Sequence, residues 1–283
     1  MRRLSFFPMP EDGETVYSLF CRFAERSGLY DKTILERMTG QKRITSLLSP
    51  LPGYLPEITQ TMPGGHPWCD GNYIASKYTA LPYFVYFGSD GDLSDWATRL
   101  ANSNRSYPLA LALGLTVYPG YASPPHPRFC ISCLKESLKS IGFTFFRREH
   151  QLPGVAVCWL HGEPLAQGCL KCGPYPISRR ALSMPGKCLC PNGLEVLPAS
   201  QGLPSDLEPF KWLARQSSFM VNGQGLGFEN IRKTLRALVA GKGLSRGSLV
   251  DYQKLANAIQ ERYGSDFLDF IGCPSWVGGR AAA

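Results

Sequence analysis

Seven of the ten cysteines in this 283-residue chain lie between Cys130 and Cys190, and they come in closely spaced pairs. The series reads Cys130-x2-Cys133, Cys158-x2-His161, Cys169-x2-Cys172 and Cys188-x-Cys190. Two intervening residues let both donor atoms of a tight turn point at one ion, with zinc–sulfur bonds of about 2.3 Å. Gly162 and Gly173 follow the second donor of two pairs, and glycine adopts the positive φ that such a knuckle needs. Eight donors fill two tetrahedral sites. We assign Cys130, Cys133, Cys158 and His161 to the first, and Cys169, Cys172, Cys188 and Cys190 to the second. Four protein ligands leave no position for water, so two structural zinc ions are expected. The competing readings are a disulfide framework, which a chain of this length without a secretion signal does not need, and a catalytic Cys158–His161 pair. His126 and His150 are alternative ligands in place of His161. Cys21, Cys69 and Cys273 stand alone and read as small buried hydrophobes, and His66 as a loop residue.

Charge reinforces the same region. The chain carries 30 Lys and Arg against 22 Asp and Glu, a net +8, which favours polyanionic partners. Residues 123–193 hold nine basic and three acidic residues, and 211–262 hold nine and three again. Thiolates on zinc reduce the surplus in the first of these segments to about +3. Hydrophobic residues make up 44% of the chain, enough for a packed core. The longest apolar runs, such as Leu109–Leu113, are far shorter than the roughly 20 residues of a membrane-spanning helix. Pro8, Pro10, Glu11 and Asp12 interrupt the N-terminal segment, so no secretory signal is read there and a cytoplasmic protein is expected.

The hydrophobic pattern predicts an α+β chain that is mostly α. Glu14–Ser27 has Val16, Leu19, Phe20 and Phe23 at helical spacing and ends at Gly28. Asp31 starts a second helix through Ile34, Leu35 and Met38, ending at Gly40. The pair is helix-turn-helix-like, and a plain helical hairpin fits equally. Residues 49–70 are rich in Pro and Gly and read as loop. The aromatic stretch Tyr73–Phe87 reads as core or a partner groove before a base-stacking platform. Leu93–Leu100 is a short helix, and Pro119–Pro127 reads as a linker. Leu134–Ile141 is helical, whereas Phe143–Arg147 and Val155–Trp159 read as strands of a zinc ribbon. Helices are expected over Pro209–Ser218, Phe228–Ala240 and Val250–Tyr263. The expected organisation is an N-terminal helical domain over 1–122, tandem zinc ribbons over 123–200 and a C-terminal helical region over 201–283. Lys42, Arg43, Arg147, Arg148, Arg179, Arg180, Arg232, Lys233 and Arg236 are the candidate nucleic-acid contacts.

Catalytic signatures are missing from the sequence. The glycines at 223, 225 and 227 follow no clear strand and lack the Lys-Ser/Thr of a phosphate loop. There is no His-Glu-x-x-His and no Gly-x-Ser-x-Gly. A non-enzymatic role is expected.

Three stretches carry a resemblance to a known family. They are Arg128-Phe129-Cys130-x-x-Cys133, then Phe145 through Val155 (FFRREHQLPGV), then Cys158-x-x-His161-Gly162-x-x-Leu165. Phe7-Pro8-x-Pro10 and Glu14–Leu19 (ETVYSL) add an N-terminal signature, and Leu244–Gly272 is similar to a helical region of the longer branch. The chain thus resembles the TniQ/TnsD family of transposition target-selection proteins over nearly its whole length. That resemblance implies a helix-turn-helix domain, zinc ribbons and an adaptor function. Such adaptors recognise attachment-site DNA or a CRISPR effector with its guide RNA, and recruit a TnsC-like AAA+ ATPase regulator of transposition. Full TnsD proteins continue further into additional DNA-binding segments, so the expectation is a short TniQ-type adaptor or a shortened chain. A sequence-specific, zinc-dependent DNA reader is the alternative.

Overall fold

The computed structural model describes residues 3–29, 31–40, 47–87, 92–103, 112–113, 124–175, 182–200, 202–223, 231–247 and 249–271. It is mostly helical, with two small antiparallel sheets. Most of the expected linker Pro119–Pro127 lies outside the described residues. No helix among the described residues is long and apolar enough to cross a membrane.

The N-terminal third is built from short helices. In α1 (Val16–Ser27) the Thr15 side chain caps the first turn by accepting from the Ser18 N–H, and Gly28 closes the helix at φ 64°. Helix α2 (Asp31–Thr39) buries Ile34, Leu35 and Met38 and packs on α3 (Leu55–Thr61). The stretch expected to be loop therefore contains α3 and a 3-10 turn over Pro67–Cys69. Leu55, Ile58 and Met62 recur at helical spacing and are fully buried. Pro56 sits in the first turn, where its missing N–H costs no intrahelical bond. Next come α4 (Gly71–Tyr78), α5 (Leu81–Phe87) and α6 (Leu93–Ala101). Helices α4 and α6 approach so closely at Gly71 that a Cβ there would lie 2.9 Å from the Ala101 Cβ. Trp68 packs between Phe7 and Tyr78, with ring centroids at 5.8 and 5.4 Å. Much of the 73–87 stretch is core: Ile74, Tyr78, Leu81, Phe84 and Val85 are all buried.

The middle segment brings together two Cys/His clusters consistent with zinc-ribbon-like sites, but its strands are not the two expected. Helix α7 (Ile131–Ile141) forms as its spacing predicts, one turn longer at its start. Phe143–Arg147 does not pair with Val155–Trp159. It binds the N-terminal segment instead: the Thr15 N–H donates to the Phe146 carbonyl, the Arg148 N–H to the Gly13 carbonyl, and the Phe146 N–H to the Ser18 hydroxyl. Phe145 and Phe146 are both buried, so the segment is clasped on two faces rather than alternating in and out. The sheet consists of β1 (Ala166–Cys169), β2 (Gly173–Pro174) and β3 (Val196–Pro198), in the order β2-β1-β3.

The C-terminal segment comprises α8 (Glu208–Val221), α9 (Ile231–Gly241), a hairpin of β4 (Ser245–Arg246) and β5 (Leu249–Val250), α10 (Tyr252–Tyr263) and α11 (Ser265–Phe270). Helix α8 packs on α5 and on the 3-10 turn Arg148–Gln151. Phe210 of α8 meets Phe267 and Phe270 edge-on, at 4.9 and 5.0 Å. Buried side chains of all three segments, from Phe7 through Phe146 to Phe267, form one continuous core.

Candidate metal centres

Cysteine and histidine side chains converge at two places, each in the combination read from the sequence: Cys130, Cys133, Cys158 and His161, and Cys169, Cys172, Cys188 and Cys190. At the first cluster Cys130 precedes α7, and its sulfur accepts from the Cys133 N–H at 3.3 Å, so the helix start fixes both thiols. The opposite pair lies on the turn between Val157 and Pro164, whose backbones meet at an antiparallel bridge. Gly162 takes φ 67° and lets its N–H reach back to the Cys158 carbonyl at 2.8 Å. His161 Nδ1 stands 3.3, 3.4 and 3.5 Å from the sulfurs of Cys130, Cys133 and Cys158, and the Cys133 and Cys158 sulfurs are 3.7 Å apart. Tetrahedral zinc with bonds of about 2.3 Å to sulfur places neighbouring sulfurs about 3.8 Å apart, so these donors enclose a space that fits such an ion.

The ring of His161 is oriented from outside the cluster. Its Nε2 lies 3.0 Å from Glu136 Oε1, which fixes Nδ1 as the free donor. Glu163 accepts from the Ser132 N–H and hydroxyl, at 2.8 and 2.9 Å, and tethers the start of α7 to the opposite knuckle. All three thiols of the first cluster are buried. Hydrogen bonds from Cys130 and Cys133 hold the Cys158 thiol well below the ordinary range, while contacts with Cys133 and Cys158 push Cys130 up. Sulfurs this crowded cannot all be anionic without a cation between them.

The second cluster hangs on β1 and its two neighbours. Its sulfur–sulfur distances run from 3.3 Å (Cys172–Cys190, Cys169–Cys188) and 3.4 Å (Cys172–Cys188) to 3.8 Å (Cys169–Cys190). The backbone N–H of Cys172 contributes most to lowering the Cys169 thiol to about 6. Cys169 is buried, and Cys172, Cys188 and Cys190 are half-buried. This cluster also fits a four-coordinate, thiophilic ion.

The other histidines and cysteines have different roles. His150 is buried beside Cys158 and is not among the converging side chains. His126 Nδ1 lies 2.9 Å from the Tyr175 carbonyl. His66 is not a plain loop residue: it is buried, its Nδ1 accepts from the Trp68 N–H at 3.1 Å, and its Nε2 faces the Pro8 carbonyl at 3.2 Å. Cys21 is buried as expected. Cys69 is exposed, with its thiol donating to the Pro63 carbonyl, and Cys273 lies outside the described residues.

The basic candidates divide sharply. Lys42, Arg43, Arg179 and Arg180 lie outside the described residues, as does the side chain of Arg232. Lys233 and Arg236 are exposed on α9. Arg147 is half-buried, with its guanidinium 4.8 Å from the Phe145 ring centroid. Arg148 must be withdrawn from the nucleic-acid set. It is 3% exposed, and its guanidinium donates to the Ser76 and Thr79 carbonyls and to Asn222 Oδ1. Arg128 is likewise buried, donating to the Leu152 carbonyl at 2.7 Å, and burial lowers its pKa to about 9. Gln151 exchanges two hydrogen bonds with the Arg128 backbone, at 2.8 and 2.7 Å. The conspicuous run 145–155 is thus internal wiring around the first cluster. Glu136 and Glu163 were not singled out by sequence reasoning. Glu136 stands three residues after Cys133 on one helix, a spacing that could have found it.

Comparison with known families gives a match to the TniQ family model over residues 5–165. The match contains the whole first cluster and ends before the second. No curated protein matches the chain.

Proposed function

The chain belongs to the TniQ family, a family of transposition-associated proteins, and from that premise we propose that it is a non-catalytic target-selection adaptor. In this reading it links a target complex to a TnsC-like AAA+ ATPase regulator. The target complex is attachment-site DNA or a CRISPR effector with its guide RNA. The observation that carries the reading is the first cluster. Three buried thiols and an oriented imidazole supply four protein donors within a matched family domain. A zinc ion held by four protein ligands has no open position for water or substrate, so it contributes rigidity rather than chemistry. The second cluster supplies the same kind of donor set for a second zinc.

Co-purification with the AAA+ ATPase of the same transposon tests the proposal, with and without DNA and the guide-RNA complex. Association that chelation of the protein abolishes supports it. Lack of association in every condition overturns it.

A DNA-reading function is favoured by one feature, the exposed basic side chains of Lys233, Arg236, Lys242 and Arg246 on α9 and the following hairpin. A reader of this kind shows affinity that falls with salt by about 0.9 log units per neutralised phosphate, together with a clear preference for one sequence. Sequence-blind binding favours the adaptor.

A further inference from the structure

A groove of about 480 Å³ opens where the N-terminal segment passes the junction of α1 and α2. Its size falls within the range of about 300–1,000 Å³ typical of small-ligand sites. Arg3 and Arg37 line it, and both are exposed. Among the described residues neither arginine forms an ion pair. The nearby acid Glu36 is engaged by Lys32 at 3.8 Å, and Glu25 by Lys187. The remaining walls are Phe6, Leu29, Phe23 and Ser27. Phe23 is buried, whereas Phe6 and Leu29 are 46% and 41% exposed.

These walls are held in place from several directions. The Leu4 N–H donates to the Thr61 carbonyl at 2.8 Å, which pins the segment carrying Arg3 and Phe6 to the end of α3. Phe6 packs on Phe23 with ring centroids 6.4 Å apart. The turn carrying Leu29 is set by Gly28 at φ 64° and by the Ser27 hydroxyl, which accepts from the Leu29 N–H at 3.3 Å.

Two guanidiniums that form no ion pair among the described residues, beside an exposed aromatic ring, suit a ligand that is anionic at one end and flat and apolar at the other. We propose that this groove binds a nucleotide unit, with its phosphate held by Arg3 and Arg37 and its base packed against Phe6 and Leu29. A polyglutamate segment would satisfy the arginines and leave the ring uncovered. A base covers it, because every nucleobase presents a π face to stack on an aromatic side chain. The proposal is independent of the adaptor reading and of either metal cluster.

Fluorescence anisotropy with a short labelled oligo-dT strand tests it, using the full chain loaded with zinc. Arg3→Gln combined with Arg37→Gln should weaken binding about tenfold or more and reduce the salt slope by about 0.7, for the one phosphate that the pair holds on a single strand. Phe6→Ala should weaken it about fivefold or more while leaving the salt slope unchanged. Because both arginines are exposed, thermal melts and zinc content of the double variant should match the parent protein. Competition separates the sources of the nucleotide. Displacement by AMP at low concentration indicates a free nucleotide, and displacement only by unlabelled strand indicates a nucleic acid; either supports the site. Unchanged affinity and slope in the folded double variant, or competition by poly-glutamate as effective as that by the strand, overturns it.

Discussion

Glu14 and Arg22 are paired at 2.6 Å with almost no exposure on either side. Glu14 also accepts from the Ser18 hydroxyl and the Glu11 N–H, and Arg22 donates to the Met9 carbonyl and lies 3.9 Å over the Phe143 ring. Burial pushes the Glu14 carboxyl up, and the Arg22 charge opposes it. Removing one charge of such a pair leaves the other uncompensated, so Glu14→Gln should cost about 3–5 kcal/mol in urea denaturation. Exchanging both residues for apolar ones of similar volume should cost far less. His66 makes a separate prediction. Burial holds its imidazole below the ordinary range, more strongly than the bond to Pro8 raises it. With the folded value depressed, the unfolded chain takes up the proton first. The stabilising contribution is therefore complete above the unfolded value of about 6.5 and is lost as pH falls through the folded value. His66→Asn keeps an acceptor for the Trp68 N–H and cannot titrate, so its stability should change less than that of the parent on acidification from about pH 7 to pH 5. Metal loss in acid affects both proteins and cancels in the difference. Parallel stability curves would show that His66 does not titrate there.

Glycine 168 decides whether the second cluster can form, because a Cβ there would lie 2.3 Å from the Gly173 carbonyl oxygen and 2.7 Å from the Pro174 Cα. Gly168→Ala should separate β1 from β2 and pull Cys169 away from its partners. Elemental analysis of the purified variant should then give one zinc per chain instead of two. Cys133→Ser should also remove one ion, from the other centre, and should lower the melting temperature more, since α7 starts at that cluster. The contrast between the clusters and their surroundings explains what could be read in the sequence. Ligand pairs, α1 and α7 are specified by spacing over a few residues, and they stand where expected. The strand reading of Phe143–Arg147 failed because an apolar run of this length reports extension and not partner. The Phe146 backbone bonds go to Thr15 and to the Ser18 hydroxyl, more than a hundred positions away. Helix α3 was hidden by neighbouring prolines and glycines, although Leu55, Ile58 and Met62 carried its period. Glu163 tethers α7 from 31 positions away, and no local pattern announces a contact of that range.

At the scale of the whole chain, one buried hub joins the three segments. Arg148 donates to the ends of α4 through Ser76 and Thr79 and to Asn222 at the end of α8, and the Asn222 amide in turn donates to Glu149 at 3.3 Å. Gly13 packs against the same carboxylate at φ 72°, and a Cβ there would lie 3.1 Å from Glu149 Oε1. Helix-end carbonyls with no intrahelical partner are thereby satisfied by a side chain that sequence reasoning had assigned to phosphate. The planar fork of arginine serves acceptors in different directions, which lysine cannot do. Arg148→Lys should therefore destabilise the whole molecule by about 1–3 kcal/mol, through acceptors left unsatisfied. The loss should appear as one earlier transition seen equally by tryptophan fluorescence, in a background with Trp159, Trp212 and Trp276 replaced by Phe so that Trp68 and Trp96 report the N-terminal core, and by zinc release from the middle segment. Two separated transitions would show that the segments unfold independently and that the hub does not couple them. Arg147→Ala provides the matched control one residue away. Its half-buried guanidinium rests on Phe145, so it should leave that transition within about 1 kcal/mol of the parent protein. Any reduction in nucleic-acid affinity among the pair should then follow Arg147 and not Arg148.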